Sequence, residues 1–280
     1  MTHDAIEQLG DSIIQHGTVN DRAYVMKVGK TDCGKIVDFV VSLARRKGYS
    51  KVFAKAPTFA RDKFLDRGFV EEAKIPEFFR GKGDGFFMSR FFSAERKEEK
   101  QPELVSQVLE IAEQKAGTME EAALPSGLSF QTMEKHDVEE MARLYRQVFA
   151  SYPFPIQDPD YLAQTMDENV IYFGIRDEDK LIAVSSAEID YAGQNAEMTD
   201  FATLPEARGL GLATFLLARM EEGIRRLGIK TAYTIARAYS FGMNITFAKH
   251  DYIYAGPLVN NTQISGDLQS MNVWHKRLRD

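Results

Sequence analysis

Residues 197 to 228 read EMTDFATLPEARGLGLATFLLARMEEGIRRLG: a strand, a tight loop holding Gly209 and Gly211, then a long helix. A helix N-terminus leaves its first N–H groups unpaired and carries partial positive charge. It therefore suits phosphate oxygens. Glycines let the backbone come close and adopt turns that a Cβ would resist. Arg208 adds a cation at the mouth. The pattern GxxxxGK[ST] is absent, and GxGxxG is not completed because position 214 is Thr. The glycine pair thus reads as a phosphate cradle or as an ordinary turn.

Other chemistry is sparse. The five histidines are scattered without HxH or HExxH spacing, so no metal is expected; His250 and His275 read as core or surface residues. A lone Cys33 rules out a disulfide within the chain and argues against a cysteine zinc site. The 35 Lys and Arg against 41 Asp and Glu give a net charge of −6 with no basic block, which disfavours nucleic acid as a partner. The first residues lack a basic segment followed by an apolar core, and no apolar run is long enough to span a bilayer. A soluble, cytoplasmic protein with no membrane partner is the expectation. With 280 residues, 44% hydrophobic, the chain can form one large domain or two small ones.

The positioning elements follow from periodicity. RAYVMKVG, KVFAKAP and GDGFFMSRFF read as strands. CGKIVDFVVSLARRKG reads as a helix capped by Gly48, and TFARDKFLDRGF as one with Thr58 as N-cap and Gly68 as C-cap. Residues 93 to 127 are charged and rich in helix formers, with a helix expected over 104–115; they read as a linker or as a surface helix of one domain. Further on, LSFQTM is a strand and HDVEEMARLYRQVFASY a helix capped by Asp137. A proline-rich loop leads to a short helix. NVIYFGIRD and KLIAVSSAEIDYA form a hairpin turning at Glu178 and Asp179, and AEMTDFATL is the next strand. After the long helix come strand KTAYTIARA, helix GMNITFAKHD, and closing strands YIYAGPLVNN and QSMNVWHKRL.

Two stretches resemble each other. Arg45 and Arg46 correspond to Arg225 and Arg226, 180 positions on, each within a helix–Arg-Arg-x-Gly–strand–helix run. At that offset Gly209 falls on Gly29, but Gly211 falls on Thr31 and Arg208 on Val28. One working site is expected, in the second unit. The first unit reads as a partial copy in a supporting role, without room upstream for the several strands of the second.

Arg208-Gly209-Leu210-Gly211-Leu212-Ala213 resembles the [QR]-x-x-G-x-[GA] acyl-CoA signature of the GNAT acetyltransferases, and the element order from Leu128 to Leu278 resembles that fold. SYPFPIQDPDYL, GMNITFAKHDY, LVNNTQISGDLQSMNVWHK and IPEFFRGKGDGFFMSRFF together resemble the β-lysine N-acetyltransferases of that superfamily over almost the whole chain. The resemblance implies an α/β (α+β) GNAT fold with a mixed central sheet, organised as a partial GNAT-like unit at 1–92, a linker at 93–127 and a catalytic unit at 128–280. It implies acetyl-CoA as co-substrate. Arg208, Gly209, Gly211, Ala213 and Thr214 would hold its pyrophosphate, the strand segment Phe201, Ala202 and Thr203 its pantetheine arm, and Asn244 a further contact. The acceptor implied is the ε-amine of β-lysine, giving the compatible solute Nε-acetyl-β-lysine, a role in osmoadaptation. A homodimer is left open.

Acetyl transfer needs a neutral amine, whereas a lysine-like ammonium has a pKa of about 10.4. A carboxylate can take the proton. The candidates are Glu197, eleven residues before Arg208 as in some family members, together with Asp200 and Glu188. In a regular strand Asp200 would face away from Glu197 unless a bulge intervenes. Many relatives place a general-acid Tyr where this chain has Phe247; Tyr239 is a substitute or a wall residue. Tyr152, Phe154 and Asp158, with Asn260, Asn261 and Thr262 in a turn between the closing strands, would select the substrate. Asn260–Thr262 also fits a glycosylation sequence, which has no meaning in the cytoplasm. The competing functions are acetylation of another small amine (a diamine, lysine or an amino sugar) and acetyl-CoA binding without catalysis.

Overall fold

The computed structural model describes residues 4–119 and 123–278; the ends of the expected terminal units and positions 120–122 of the expected linker lie outside them. The first half forms β1 (Ala5–Leu9), β2 (Ser12–Gly17), β3 (Arg22–Lys27), α1 (Cys33–Lys47), β4 (Lys51–Pro57), α2 (Thr58–Leu65), β5 (Val70–Phe79) and β6 (Gly83–Phe91). A connection carries α3 (Ala94–Lys97) and α4 (Pro102–Gln114). Then come β7 (Leu128–Thr132), α5 (Val138–Val148), α6 (Pro159–Glu168), β8 (Val170–Asp177), β9 (Lys180–Asp190) and β10 (Asn195–Thr203). The chain closes with α7 (Leu212–Arg226), β11 (Thr231–Arg237), α8 (Phe241–Lys249), β12 (Ile253–Ile264) and β13 (Asp267–Arg277).

The strand orders are β1-β2-β3-β4-β6-β5 and β7-β8-β9-β10-β11-β13-β12. Set β7 aside and the two coincide strand for strand. Each has one parallel pair at its centre, β3–β4 and β10–β11, bridged by α1 and α7 respectively. The expectation of too little room upstream in the first unit was therefore wrong: β1 and β2 occupy the places of β8 and β9, and among the described residues only counterparts of β7, α5 and α6 are missing. The short polar strand AIEQL carries no apolar face, with four of its five residues exposed, so periodicity did not reveal it.

Local caps differ from expectation in two places. α2 is preceded by Pro57 in extended conformation, not capped by the Thr58 side chain. Asp137 turns back to accept a hydrogen bond from the Glu134 N–H and pairs with Arg176, leaving the start of α5 without a side-chain cap. Gly48 closes α1 at φ 73°, the left-handed position expected of it.

The sheets are joined by their second faces. Along β4, Val52, Ala54 and Ala56 pack into the first unit's own core. The alternate residues Lys51, Phe53 and Lys55 turn to the second unit, because side chains alternate across a strand. Phe53, Phe78 and Phe87 meet Tyr233, Leu258 and Val273 in a shared apolar layer. Gly256 lets β12 approach β5: at its φ of 140° an added Cβ would lie 2.2 Å from the Glu72 carbonyl oxygen. Beside it Lys51 donates to Glu72 Oε2 and to the Val259 carbonyl, both at 2.8 Å, and Glu72 Oε1 accepts from the Val259 N–H. The connecting helix α4 packs on α8, burying Val108 and Ala112.

Candidate active site

β10 pairs with β9 along its length but with β11 only over Asn195–Thr231, Ala196–Ala232 and Glu197–Tyr233. Beyond Glu197 the two parallel strands part. Into the gap opens a cavity of about 900 Å³, lined by β10 and β11, the proline-rich loop, the Gly209–Gly211 turn and the face of β3 and β4. The parting coincides with a bulge between Thr199 and Ala202, where Asp200 adopts φ 55°. The bulge cancels the alternation, so Glu197 and Asp200 both line the cavity.

Glu197 and Glu188 are direct cross-strand partners. Both are half-buried, opening onto the cavity while protein surrounds them. Burial raises the Glu197 carboxyl, the adjacent Glu188 charge raises it further, and it stands at about 7. Burial likewise raises Glu188. Opposing this, Tyr233 hydrogen-bonds Glu197, and Lys55 Nζ donates to the Tyr233 hydroxyl at 2.9 Å. Burial alone would depress the Lys55 ammonium, but the nearby Tyr24 hydroxyl and the carboxylates of Glu188, Glu197 and Asp190 hold it above its ordinary value. A chain Lys55–Tyr233–Glu197 thus runs from the first unit to the carboxylate.

Asp200 is placed differently. Its two oxygens accept from the Tyr152 hydroxyl at 2.6 Å and the Ser186 hydroxyl at 2.5 Å. Burial raises its carboxyl, and those hydroxyls pull the other way. Those bonds tie it to the proline-rich loop and to β9.

At the other end, Gly209 and Gly211 have φ of 83° and 73°, and a Cβ built on either would meet nothing within 4 Å. Gly211 is the N-cap of α7. Arg208 is exposed at the cavity mouth, and Ala213 and Thr214 line it. A helix N-terminus with open, left-handed glycines and an exposed guanidinium fits a pyrophosphate. The corresponding turn of the first unit is filled: a Cβ on Gly29 would stand 2.2 Å from Asp32 Oδ1 and 2.6 Å from Asp11 Cβ. Two carboxylates occupy the ground where an anion would sit.

Not every expected residue reaches the cavity. Tyr152, Phe154, Asn261, Phe201 and Thr203 line it. Ala202 points into the core. Asn244 is fully buried with all four bonds used by the fold: Nδ2 donates to the Arg237 and Ser240 carbonyls, and Oδ1 accepts from Asn272 and Trp274. Asn260 lies within β12, not in a turn, and its Nδ2 donates to the Arg96 and Glu98 carbonyls. Asp158 caps α6 through the Asp160 N–H. Phe247 lines the cavity edge-on to Phe201, with ring centroids 5.7 Å apart. Tyr239 is tied to Glu99 at 2.6 Å, away from the cavity.

Arg22, Tyr24, Phe53 and Lys55, all from the first unit, line the cavity and had not been singled out. Their signal was available: RAYVM and KVFAK each alternate small apolar residues with cationic or aromatic ones. A strand with one face in its own core and such residues on the other must meet a second surface.

The parted parallel strands, with a carboxylate at the fork and a glycine turn opening a helix, are the arrangement of an acyl-transfer enzyme, and residues 138–243 match the acetyltransferase (GNAT) family. The chain belongs to that family. It is 40% identical over 273 residues to a beta-lysine N(6)-acetyltransferase of Methanococcus maripaludis, covering 98% of each chain. It is 29% identical to the beta-lysine N(6)-acetyltransferase of Methanosarcina mazei, over 87% of this chain and 97% of that one. It is 30% identical to the N-acetyltransferase YodP of Bacillus subtilis, over 95% and 96% respectively.

Proposed function

We propose that this chain transfers the acetyl group of acetyl-CoA to the ε-amine of β-lysine, giving Nε-acetyl-β-lysine, and that it works in the cytoplasm, where the product serves as a compatible solute. The observation that carries the reading is Glu197: a carboxylate raised to about 7, at the fork of the parted strands and facing the cavity. A base poised near neutral pH is matched to drawing a proton from an ammonium or an attacking amine. Near-full-length similarity to a beta-lysine N(6)-acetyltransferase supports the choice of acceptor.

Acetyl-CoA would lie with its pyrophosphate on the turn at Arg208, Gly209 and Gly211, flanked by Ala213 and Thr214, and its pantetheine arm along Phe201, Ala202 and Thr203. Among the described residues β10 has no partner strand on the β11 side past Glu197, which leaves its backbone groups there to that arm. Glu197 takes a proton from the ε-ammonium, leaving a neutral amine, and passes it to solvent. The amine nitrogen bonds to the thioester carbonyl carbon, the carbonyl oxygen gains negative charge, and a backbone N–H of β10 stabilises it. The nitrogen gives its second proton to the freed Glu197 carboxylate, the C–S bond breaks, the carbonyl re-forms, and the thiolate takes a proton from solvent. No tyrosine acid stands at Phe247, and Tyr239 is held elsewhere.

The test is release of CoA from acetyl-CoA with β-lysine, α-lysine, spermidine and an amino sugar, with the product mapped by mass spectrometry. β-Lysine acetylated once, at the ε-nitrogen, with the highest kcat/KM is expected. Equal turnover of α-lysine, or faster turnover of spermidine, overturns the choice of acceptor. No CoA release with any amine overturns catalysis itself.

A further inference from the structure

The far wall of the cavity carries an unusual cation. Arg22 begins β3, is 3% exposed, and has no carboxylate within salt-bridge distance among the described residues. Its Nη1 donates to the Asn261 carbonyl at 2.5 Å and to Thr262 Oγ1 at 3.1 Å. Its Nη2 makes one long bond, 3.5 Å to Gln15, and its Nε has no partner among the described residues. The Nε and Nη2 edge of a guanidinium is the fork that matches a carboxylate with two parallel bonds. Beside it, the buried Asn261 Oδ1 also lacks a partner among the described residues. Tyr24 and Phe53 lie against the guanidinium at 5.2 and 5.9 Å, fixing its plane. The Glu197 charge acts on Arg22 across the same cavity.

A buried cation with an unfilled two-donor edge is costly unless an anion completes it. We propose that Arg22 binds the carboxylate of an amino-acid acceptor and Asn261 Oδ1 accepts from its second ammonium, so that the first unit selects the substrate whose distal amine Glu197 deprotonates. This rests on the amine-acetylation reading above. It makes the partial copy a specificity-determining half of the site.

Two truncated substrates separate the groups. 1,4-Diaminopentane is β-lysine without its carboxylate; 6-aminohexanoate is β-lysine without its second amine. The unsubstituted enzyme should prefer β-lysine to each by at least about tenfold in kcat/KM. Arg22→Gln should raise the KM for β-lysine by about a hundredfold, the weight of a buried bidentate ion pair, with kcat little changed. Its kcat/KM for 1,4-diaminopentane should stay as in the unsubstituted enzyme. Asn261→Ala should erase the preference over 6-aminohexanoate alone. An equal loss on β-lysine and 1,4-diaminopentane in Arg22→Gln means that Arg22 only ties β3 to β12, and overturns the inference while leaving the acceptor reading intact. An unsubstituted enzyme that turns over 1,4-diaminopentane as well as β-lysine overturns both. Should the Gln variant fail to fold, Arg22→Lys keeps the charge but loses the fork; an unchanged KM for β-lysine in that variant also overturns the inference.

Discussion

Glu197 and Asp200 are three residues apart on one strand, and their surroundings give them different chemistry. Asp200 has a hydroxyl donor on each oxygen, from Tyr152 and Ser186. Glu197 faces another carboxylate and is raised to about 7. Glu197→Gln should lower kcat/KM by roughly a hundredfold or more. Acetyl-CoA affinity should barely move. Because Glu197 must lose its proton to act as base, kcat/KM of the unsubstituted enzyme should rise with pH through about 7. In the Gln variant it should climb steadily toward the amine's own pKa of about 10. Asp200→Asn removes an acceptor that two hydroxyls share, so it should lower Tm and weaken activity moderately; the midpoint should persist and move slightly down, because the Asp200 charge helps to raise Glu197. Should Asp200→Asn lose the midpoint and Glu197→Gln keep it, the two roles are exchanged.

At the scale of elements, one helix–strand–helix unit occurs twice and only one copy keeps an open helix start. Gly211 can hold φ 73° with nothing within 4 Å of a Cβ position, whereas Asp32 and Asp11 crowd Gly29. Gly211→Glu should abolish acetyl-CoA binding by calorimetry, since a side chain and a like charge enter the phosphate ground together. Thr31→Glu, at the corresponding exposed position, should leave the affinity unchanged. Equal loss in both variants would move the cradle elsewhere. The glycine spacing made this element legible in the sequence, because a helix start and its preceding turn are set by neighbours in the chain. The bulge in β10 was legible only as an option, since its position depends on the pairing with β9.

For the whole molecule, the second unit's carboxylate depends on the first unit's cation. Lys55 reaches Tyr233, which is hydrogen-bonded to Glu197, and its charge draws the Glu197 pKa down. Lys55→Met should therefore move the midpoint of the kcat/KM profile above about 7. Activity at neutral pH should fall and be recovered in part at higher pH, with acetyl-CoA affinity unchanged. A uniform loss with an unmoved midpoint would make Lys55 structural only. Lys51 and Glu72, with side chains 0% and 6% exposed, join the units to Val259. Glu72→Ala leaves a buried ammonium without its counterion, and should cost about 3–5 kcal/mol in chemical denaturation. A loss within about 0.5 kcal/mol, the range of a surface substitution, would show the junction to be loose.

The sequence alone determined whatever depends on near neighbours: the glycine turn ahead of α7, the hairpin at Glu178 and Asp179, the left-handed Gly48, the doubled unit, and through its motifs the acetyltransferase class. It also supplied Glu197, Glu188 and Asp200 as a set, without choosing among them. Only the tertiary structure sets their surroundings apart, because burial, the cross-strand Glu188 and the ammonium of Lys55 act through space between segments far apart in the chain. The same holds for Arg22, whose partners Asn261 and Thr262 lie in the last strand pair. Asn244 and Asn260 show the converse. Their residue types suit a site, but the fold had already taken up their hydrogen-bonding groups, and no local pattern reports where a buried amide will find its partners.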